Sequence, residues 1–368
     1  MKRFFLCTVT LIYICSFKVN ALDISAECAC VINADTNEVI FEHNAYSKHS
    51  MASTTKIMTA IMALEKSKAD EVVTVSHNAS SQEGSSIYLK TGDRISMENL
   101  VYGMMLNSGN DAACAVAEHI GGTTERFSQM MNDKAKEIGA KNTSFKNSNG
   151  LDADGHYSTA YDMAIISSYG LKNEIFKEIV STKNEKIDNG DSVTYLKNHN
   201  KLLWNYDGCI GVKTGYTKKT GRCLVSAAKR DGVTLVAVTL NAPNDWQDHT
   251  KMLDYGFENV KKILAVRKND ILKSFDYGFN AIAQNDIYVT GNDVGKVRIV
   301  LHTIKKPQYN IYKNEKIGYA EIKYNDITVD KVDLLSDADY IANNYPNKEG
   351  IIEQLLKIIK LLLLNYQK

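Results

Sequence analysis

The sequence predicts an α+β fold in which helices pack on an antiparallel sheet, followed by a small all-β domain. Strand-like runs flank a helical block, at 27–41 on one side and at 207–212, 221–229 and 233–240 on the other. Between them, apolar residues recur at spacings of three and four, the helical period. Past Gly256 that period is lost and only short alternating runs remain. Helices clustered between two sets of strands suit one layer of helix packed on one of sheet.

Taken in order, the first two strands surround the turn signal Asn33-Ala34-Asp35. Cys28 and Cys30 stand two apart in the first strand and so share one face. Positions 53–66 read as a helix with Ile57, Ala60, Ile61 and Leu64 along one side. Positions 111–120 read as a buried helix stopped by Gly121-Gly122. The stretch 125–138 is amphipathic, with Phe127, Met130, Met131, Ala135 and Ile138 on its apolar face. Thr159-Ala160-Tyr161-Asp162 is a capping box that opens another helix. The short runs 286–289, 297–301 and 319–324, with turns such as Thr290-Gly291-Asn292-Asp293, predict the all-β unit over 263–343.

The two ends predict a location. Lys2 and Arg3 precede a largely apolar run at 4–17, and Val19-Asn20-Ala21 offers a cleavage site, so 1–21 reads as a secretory signal. The segment 346–368 reads as an amphipathic helix. Within 351–364, Glu353, Lys357 and Lys360 form one polar stripe among Leu and Ile. At about 1.5 Å per residue these positions reach roughly 21 Å, short of the ~30 Å hydrocarbon core. That helix is expected to lie in a membrane interface rather than span it. The expected place is therefore outside the cell, peripheral to the outer face of the cytoplasmic membrane or in the wall.

Composition excludes other classes. The 368 residues carry 44 Lys+Arg against 43 Asp+Glu, a net charge of +1, which gives no surplus for nucleic-acid binding. Five cysteines remain after the signal, at positions 28, 30, 114, 209 and 223. An odd, irregularly spaced set is neither a disulfide framework nor a zinc pattern, so buried free thiols are expected, with no metal and no cofactor.

The chemistry-bearing residues start with Ser53-Thr54-Thr55-Lys56. On a helix a Lys three residues after a Ser shares its face, and its amine can take the hydroxyl proton if its pKa is depressed. A second Ser-x-x-Lys, Ser226 to Lys229, sits in a strand where positions three apart face opposite ways. Ser-x-Asn occurs at Ser76-His77-Asn78 and Ser108-Gly109-Asn110, and Lys-Thr-Gly begins at Lys90, Lys213 and Lys219. Ser108 precedes the buried helix, which can hold its loop against the helix of Ser53. Lys213 is expected to end a strand, with a turn at 215–217, while Lys90 falls in a turn and Lys219 opens the return strand.

Ser53-x-x-Lys56, Ser108-Gly109-Asn110 and Lys213-Thr214-Gly215, in that order, resemble the serine penicillin-binding proteins and serine β-lactamases. Glu83-Gly84-Ser85-Ser86-Ile87-Tyr88-Leu89, Asn149-Gly150-Leu151, Gly155-His156-Tyr157-Ser158-Thr159-Ala160 and Asp254-Tyr255-Gly256-Phe257 narrow the resemblance. They look like the low-molecular-weight D-alanyl-D-alanine carboxypeptidases of the peptidase S11 type, over nearly the whole mature chain. The resemblance implies a β-lactamase/transpeptidase-like domain over 22–262, a small β-sandwich over 263–343 and the helix 346–368. It implies that Ser53 attacks the carbonyl of a D-Ala–D-Ala bond with Lys56 as base, and that Ser108 relays a proton to the leaving amine. Asn110 would bond the substrate amide, Lys213 would lower the pKa of Lys56 and attract the terminal carboxylate, and Thr214 would bond that carboxylate, beside Gly215 and Tyr216. The backbone N–H groups of Ser53 and Tyr216 would form the oxyanion hole. The partners implied are peptidoglycan stem peptides ending in D-Ala-D-Ala and, as covalent inhibitors, β-lactams.

Two departures stand out. Tyr216 follows Lys-Thr-Gly where some members carry His. Asn244-Asp245-Trp246-Gln247-Asp248 lacks an Arg that many members use to hold the carboxylate, for which Arg222 is a possible substitute. Trp246 is expected to serve packing and His156 a turn. The alternatives are a DD-endopeptidase, a β-lactamase, and a non-catalytic wall-binding or penicillin-sensing protein. The β-lactamase is disfavoured because Thr143-Ser144-Phe145-Lys146-Asn147 has no deacylating Glu.

Overall fold

A computed structural model describes residues 22–342, apart from 189–192, 306 and 308. The signal expected at 1–21 and the helix expected at 346–368 lie outside the described residues. The chain begins with β1 (Cys28–Asn33) and β2 (Val39–His43), then α1 (Lys56–Lys66), β3 (Val72–Thr74), α2 (His77–Ser80) and β4 (Arg94–Ser96). Helices α3 (Met97–Leu106), α4 (Asn110–Gly121), α5 (Thr124–Glu137), α6 (Ala160–Gly170) and α7 (Glu174–Ser181) follow. A hairpin of β5 (Asn184–Asp188) and β6 (Val193–Lys197) and the short α8 (Leu202–Asn205) lead to β7 (Cys209–Thr217), β8 (Gly221–Arg230) and β9 (Val233–Leu240). Helix α9 (Asp245–Asn259) closes this part.

The central sheet is antiparallel in the order β2-β1-β9-β8-β7. Its inner strands are apolar on both faces because both faces are covered. In β1, Cys28, Cys30 and Ile32 enter a core shared with α1 and α3–α6, while Ala29 and Val31 join Met252 and Leu253 of α9 in a second core. Strand β9 divides likewise, with Val236, Val238 and Leu240 on one side and Leu235 and Ala237 on the other. This period of two, with both phases buried, explains why 233–240 reads as a continuous apolar run. The shared face expected for Cys28 and Cys30 is present. The five cysteines among the described residues are free thiols, four of them buried and Cys209 half-buried.

Helix α4 is built from small residues, Ala112, Ala113, Cys114, Ala115 and Ala117, all buried. They let α1, α2, α3 and α5 pack around it. Thr159 caps α6 by accepting the N–H of Asp162, as the capping box predicts.

The all-β part holds β10 (Lys261–Val266), β11 (Ile271–Phe275), β12 (Phe279–Ala283), β13 (Ile287–Gly291), β14 (Val297–Thr303), β15 (Lys316–Tyr324) and β16 (Ile327–Ser336). A sheet in the order β11-β12-β16-β15-β14 and a β10-β13 ladder share a separate core around Phe279, Ile322 and Leu334. It meets the rest at the β1–β2 turn. There Asn33 donates to Thr290, and Glu38 accepts from Lys296 and from the Tyr324 hydroxyl. Strand β7 is the opposite edge of the central sheet. Among the described residues no helix is long and apolar enough to cross a membrane.

One local expectation is corrected. Strand β7 runs through Thr217, with Tyr216 opposite Arg222 and Thr217 opposite Gly221. Lys213 therefore stands in mid-strand, and Lys219 lies in the turn rather than at the start of β8. Gly215 reads as a turn signal, yet here it is a strand residue, selected because β7 passes close to another backbone.

Candidate active site

Ser53 lies in a 3-10 turn, Ala52–Thr55, that runs directly into α1. The turn is fixed from two sides. Ala52 takes a positive φ of 47°, and its carbonyl faces Gly150, where a β-carbon would fall 1.9 Å from that oxygen. A β-carbon on Gly215 would lie 3.0 Å from the Ser53 nitrogen and 3.1 Å from the Met51 oxygen. Both positions need glycine because backbone meets backbone there. Below the turn, His156 Nδ1 accepts the Lys146 N–H at 3.0 Å. Its proton is thus assigned to Nε2, which donates to Thr55 Oγ1 at 2.8 Å. Burial pushes His156 down to about 4, so it stays neutral and buttresses the Ser53 turn. Its expected structural role is the one its contacts show.

Lys56 is fully buried. Its Nζ lies 3.0 Å from Ser53 Oγ, 2.7 Å from Asn110 Oδ1 and 2.6 Å from the Asn149 carbonyl. Its pKa is held well below the usual amine range, first by burial and then by the Lys213 charge, with Asp111 pulling the other way. Lys213 is 1% exposed, donates to the Thr214 carbonyl at 3.0 Å, and is pushed down by burial to about 7.

The loop of Ser108 reaches this pair by a tether that sequence reading missed. Asp111, at the start of α4, accepts Ser86 Oγ at 2.5 Å and the N–H groups of Ile87 and Leu89 at 3.1 Å. This fastens the 83–89 loop beside Ser108, which is buried at a positive φ of 63°. Asn110 donates through Nδ2 to the Glu83 carbonyl at 2.6 Å. Its oxygen is engaged by Lys56, and of its two N–H groups one is left to donate to a ligand.

Ser53, Ser108, Thr214, Gly215 and Tyr216 line a cavity of about 730 Å³. The other wall comes from the segment 197–205 with Arg222, Asp245 and Trp246. Trp246 thus has a role beyond the packing expected of it. One part packs on the second core, while the ring also faces the cavity with the Arg222 guanidinium 5.7 Å from its centre. Arg222 donates through Nε and Nη2 to the buried Asp245 at 3.1 and 2.9 Å. His199 lines the same cavity and is pushed down by burial and by Lys213. Asn149 belonged to a recognisable Asn-Gly-Leu, but its carbonyl's use by Lys56 depends on the fold alone. His199 has no sequence signal at all.

The decoys stand elsewhere. Ser76 caps α2 and bonds Glu118. Ser226 is buried against His249 while Lys229 is exposed on the other face of β8. Lys90 borders a turn.

Comparison with known proteins agrees with this arrangement. A family described as D-alanyl-D-alanine carboxypeptidase, peptidase S11, matches residues 16–244, more than half of the chain. D-alanyl-D-alanine carboxypeptidase DacF of Bacillus subtilis is 39% identical over 253 residues, 66% of this chain and 65% of that protein, just under two thirds of its length. DacC of Escherichia coli is 29% identical over 347 residues, 86% of this chain and 84% of that protein. The crystal structure of the D-alanyl-D-alanine carboxypeptidase DacD from Francisella tularensis superposes with a TM-score of 0.64 at 26% identity, covering 87% of this chain and 95% of that one. The Streptomyces K15 DD-transpeptidase superposes at 0.60 with 35% identity over 64% of this chain and 98% of that one. The mixed helix-and-sheet fold expected from the sequence is the fold of these structures.

Proposed function

This chain belongs to the D-alanyl-D-alanine carboxypeptidase family, and on that premise we propose that it removes the terminal D-Ala from peptidoglycan stem peptides through a Ser53 acyl-enzyme. The observation that carries the reading is the surroundings of Lys56 Nζ. A neutral amine has two N–H groups and one lone pair. Asn110 Oδ1 and the Asn149 carbonyl take the two N–H groups, so the lone pair is left for the Ser53 hydroxyl at 3.0 Å. Burial and Lys213 favour that neutral form.

Ser53 then attacks the penultimate carbonyl as Lys56 takes its proton. The oxyanion rests on the backbone N–H groups of Ser53 and Tyr216. Ser108 passes a proton to the leaving amine, and water releases the acyl group. Asn110 donates its remaining N–H to the substrate amide. Thr214, with Lys213 behind it, and Arg222 receive the terminal carboxylate. Asp245 holds Arg222 by two hydrogen bonds to one oxygen, which leaves the guanidinium's other edge for the ligand. The lining of the cavity has one carboxylate, Asp245, and Arg222 engages it. No lining acid is placed to speed deacylation, which favours a long-lived adduct with β-lactams over a β-lactamase.

The wider organisation is proposed with it. Residues 22–262 form the catalytic domain and 263–343 a β domain. The chain is exported by its signal and held at the outer face of the cytoplasmic membrane by 346–368. The test is D-alanine release from a pentapeptide ending in D-Ala-D-Ala, with and without penicillin. Penicillin-sensitive release supports the reading. No release, or fast turnover of penicillin itself, refutes it.

A further inference from the structure

The cavity is larger and more basic than a terminal D-Ala requires. Its lining has three cations outside the nucleophile's cluster, Lys197, Lys201 and Arg222. Arg222 is matched by Asp245. Lys197 and Lys201 are exposed, and neither makes an ion pair among the described residues. Each is instead laid over an indole. Lys197 Nζ lies 5.8 Å from the centre of the Trp204 ring and Lys201 Nζ 6.0 Å from that of Trp246. An ammonium on a ring face is held in place without being neutralised, so its charge remains for a ligand and less side-chain entropy is lost on binding. Burial and the Lys213 charge push His199 between them down, toward its neutral form, so the two lysines carry the positive charge of this wall.

We infer that Lys197 and Lys201, on their tryptophans, form an anion-recognising subsite that takes a second carboxylate of the peptide, beyond the C-terminal one. This rests on the carboxypeptidase reading and names its substrate class more narrowly: acidic stem peptides, in preference to amidated ones. A stem ending in D-Ala-D-Ala offers two sources of that carboxylate, its γ-linked D-glutamate and a diaminopimelate at the third position. The shared chemistry is a free carboxylate on a flexible peptide. Both lysines are exposed, so their attraction is screened by salt and is small per contact.

The experiment measures D-alanine release by the mature protein from three pentapeptides: one with both carboxylates free, one amidated at D-glutamate, and one amidated at diaminopimelate. One amidation is expected to lower kcat/KM roughly three- to tenfold, mainly through KM, the scale for one or two exposed charge contacts. The peptide that suffers identifies the carboxylate. The discrimination should shrink in 0.5 M salt and fall close to one in K197Q/K201Q. That ratio is taken within one enzyme, so it is independent of the amount of folded variant. Equal kcat/KM on all three peptides in the unaltered protein overturns the inference while leaving the carboxypeptidase reading intact. Full discrimination retained by K197Q/K201Q overturns it too. No D-alanine release from any of the three removes the reading on which it rests.

Discussion

At the scale of single residues, the account turns on two buried lysines with different duties. Lys56 must be neutral to accept a proton, and Lys213 must be charged to attract a carboxylate. The kcat/KM profile should therefore be bell-shaped. It rises as Lys56 loses its proton, below the usual amine range, and falls as Lys213 loses its charge, from about pH 7 in the free enzyme. Lys213→Ala removes the cation that depresses Lys56, so the rising limb should move to higher pH. A rising limb that stays in place would separate the two residues electrostatically. Lys213→Ala should also lower kcat/KM by roughly two orders of magnitude, the scale for one preorganised electrostatic contact. Lys90→Ala and Lys219→Ala, at the two other Lys-Thr-Gly copies, should stay near wild type. Equal losses at all three would mean that position in the fold does not distinguish them.

At the scale of elements, the site is a meeting of a helix N-terminal turn, a helix-capping loop and one strand. The strand is allowed in by Gly215. Gly215→Ala must push the nucleophile's turn by a few tenths of an ångström, against backbone atoms at 3.0 and 3.1 Å. Acylation by penicillin should slow about tenfold or more while Tm shifts little, since misplacement of a reacting group is costly out of proportion to its size. An unchanged acylation rate would show that the turn tolerates the methyl group. The same elements show what was legible in the sequence. The helices of Ser53 and Asn110 and the strands of the central sheet carry strong periodicity, and their short motifs point to Ser53, Lys56, Ser108, Asn110 and Lys213. The extent of β7 was misjudged because Gly215 and Tyr216 look like a turn until the ladder to β8 is seen. Asn149 contributes a main-chain oxygen, which any residue has, so no side-chain type could mark it. His199, Trp204 and Asp111 act through long-range packing, and a local pattern cannot report which loop folds over which helix.

At the scale of the whole molecule, the β part and the cleft belong to opposite sides of the central sheet. The β part is latched at the β1–β2 turn through Asn33 and Glu38, while the cleft lies at β7, three to four strand spacings or roughly 14–19 Å across the sheet. Whatever follows the β part can hold the protein to a surface without obstructing Ser53. A protein ending at Asn347 should keep full activity on a soluble peptide and lose binding to anionic liposomes. Identical partitioning of the truncated and longer proteins would assign 346–368 to the fold instead of the membrane.

The central claim is that Ser53, with Lys56 against it, is the nucleophile of a slowly deacylating enzyme. Intact-mass measurement after exposure to penicillin tests it most directly. The mature protein should gain the mass of one penicillin and hold it, and Ser53→Ala should gain none. An adduct that persists in Ser53→Ala would contradict the assignment, whichever other residue carried it.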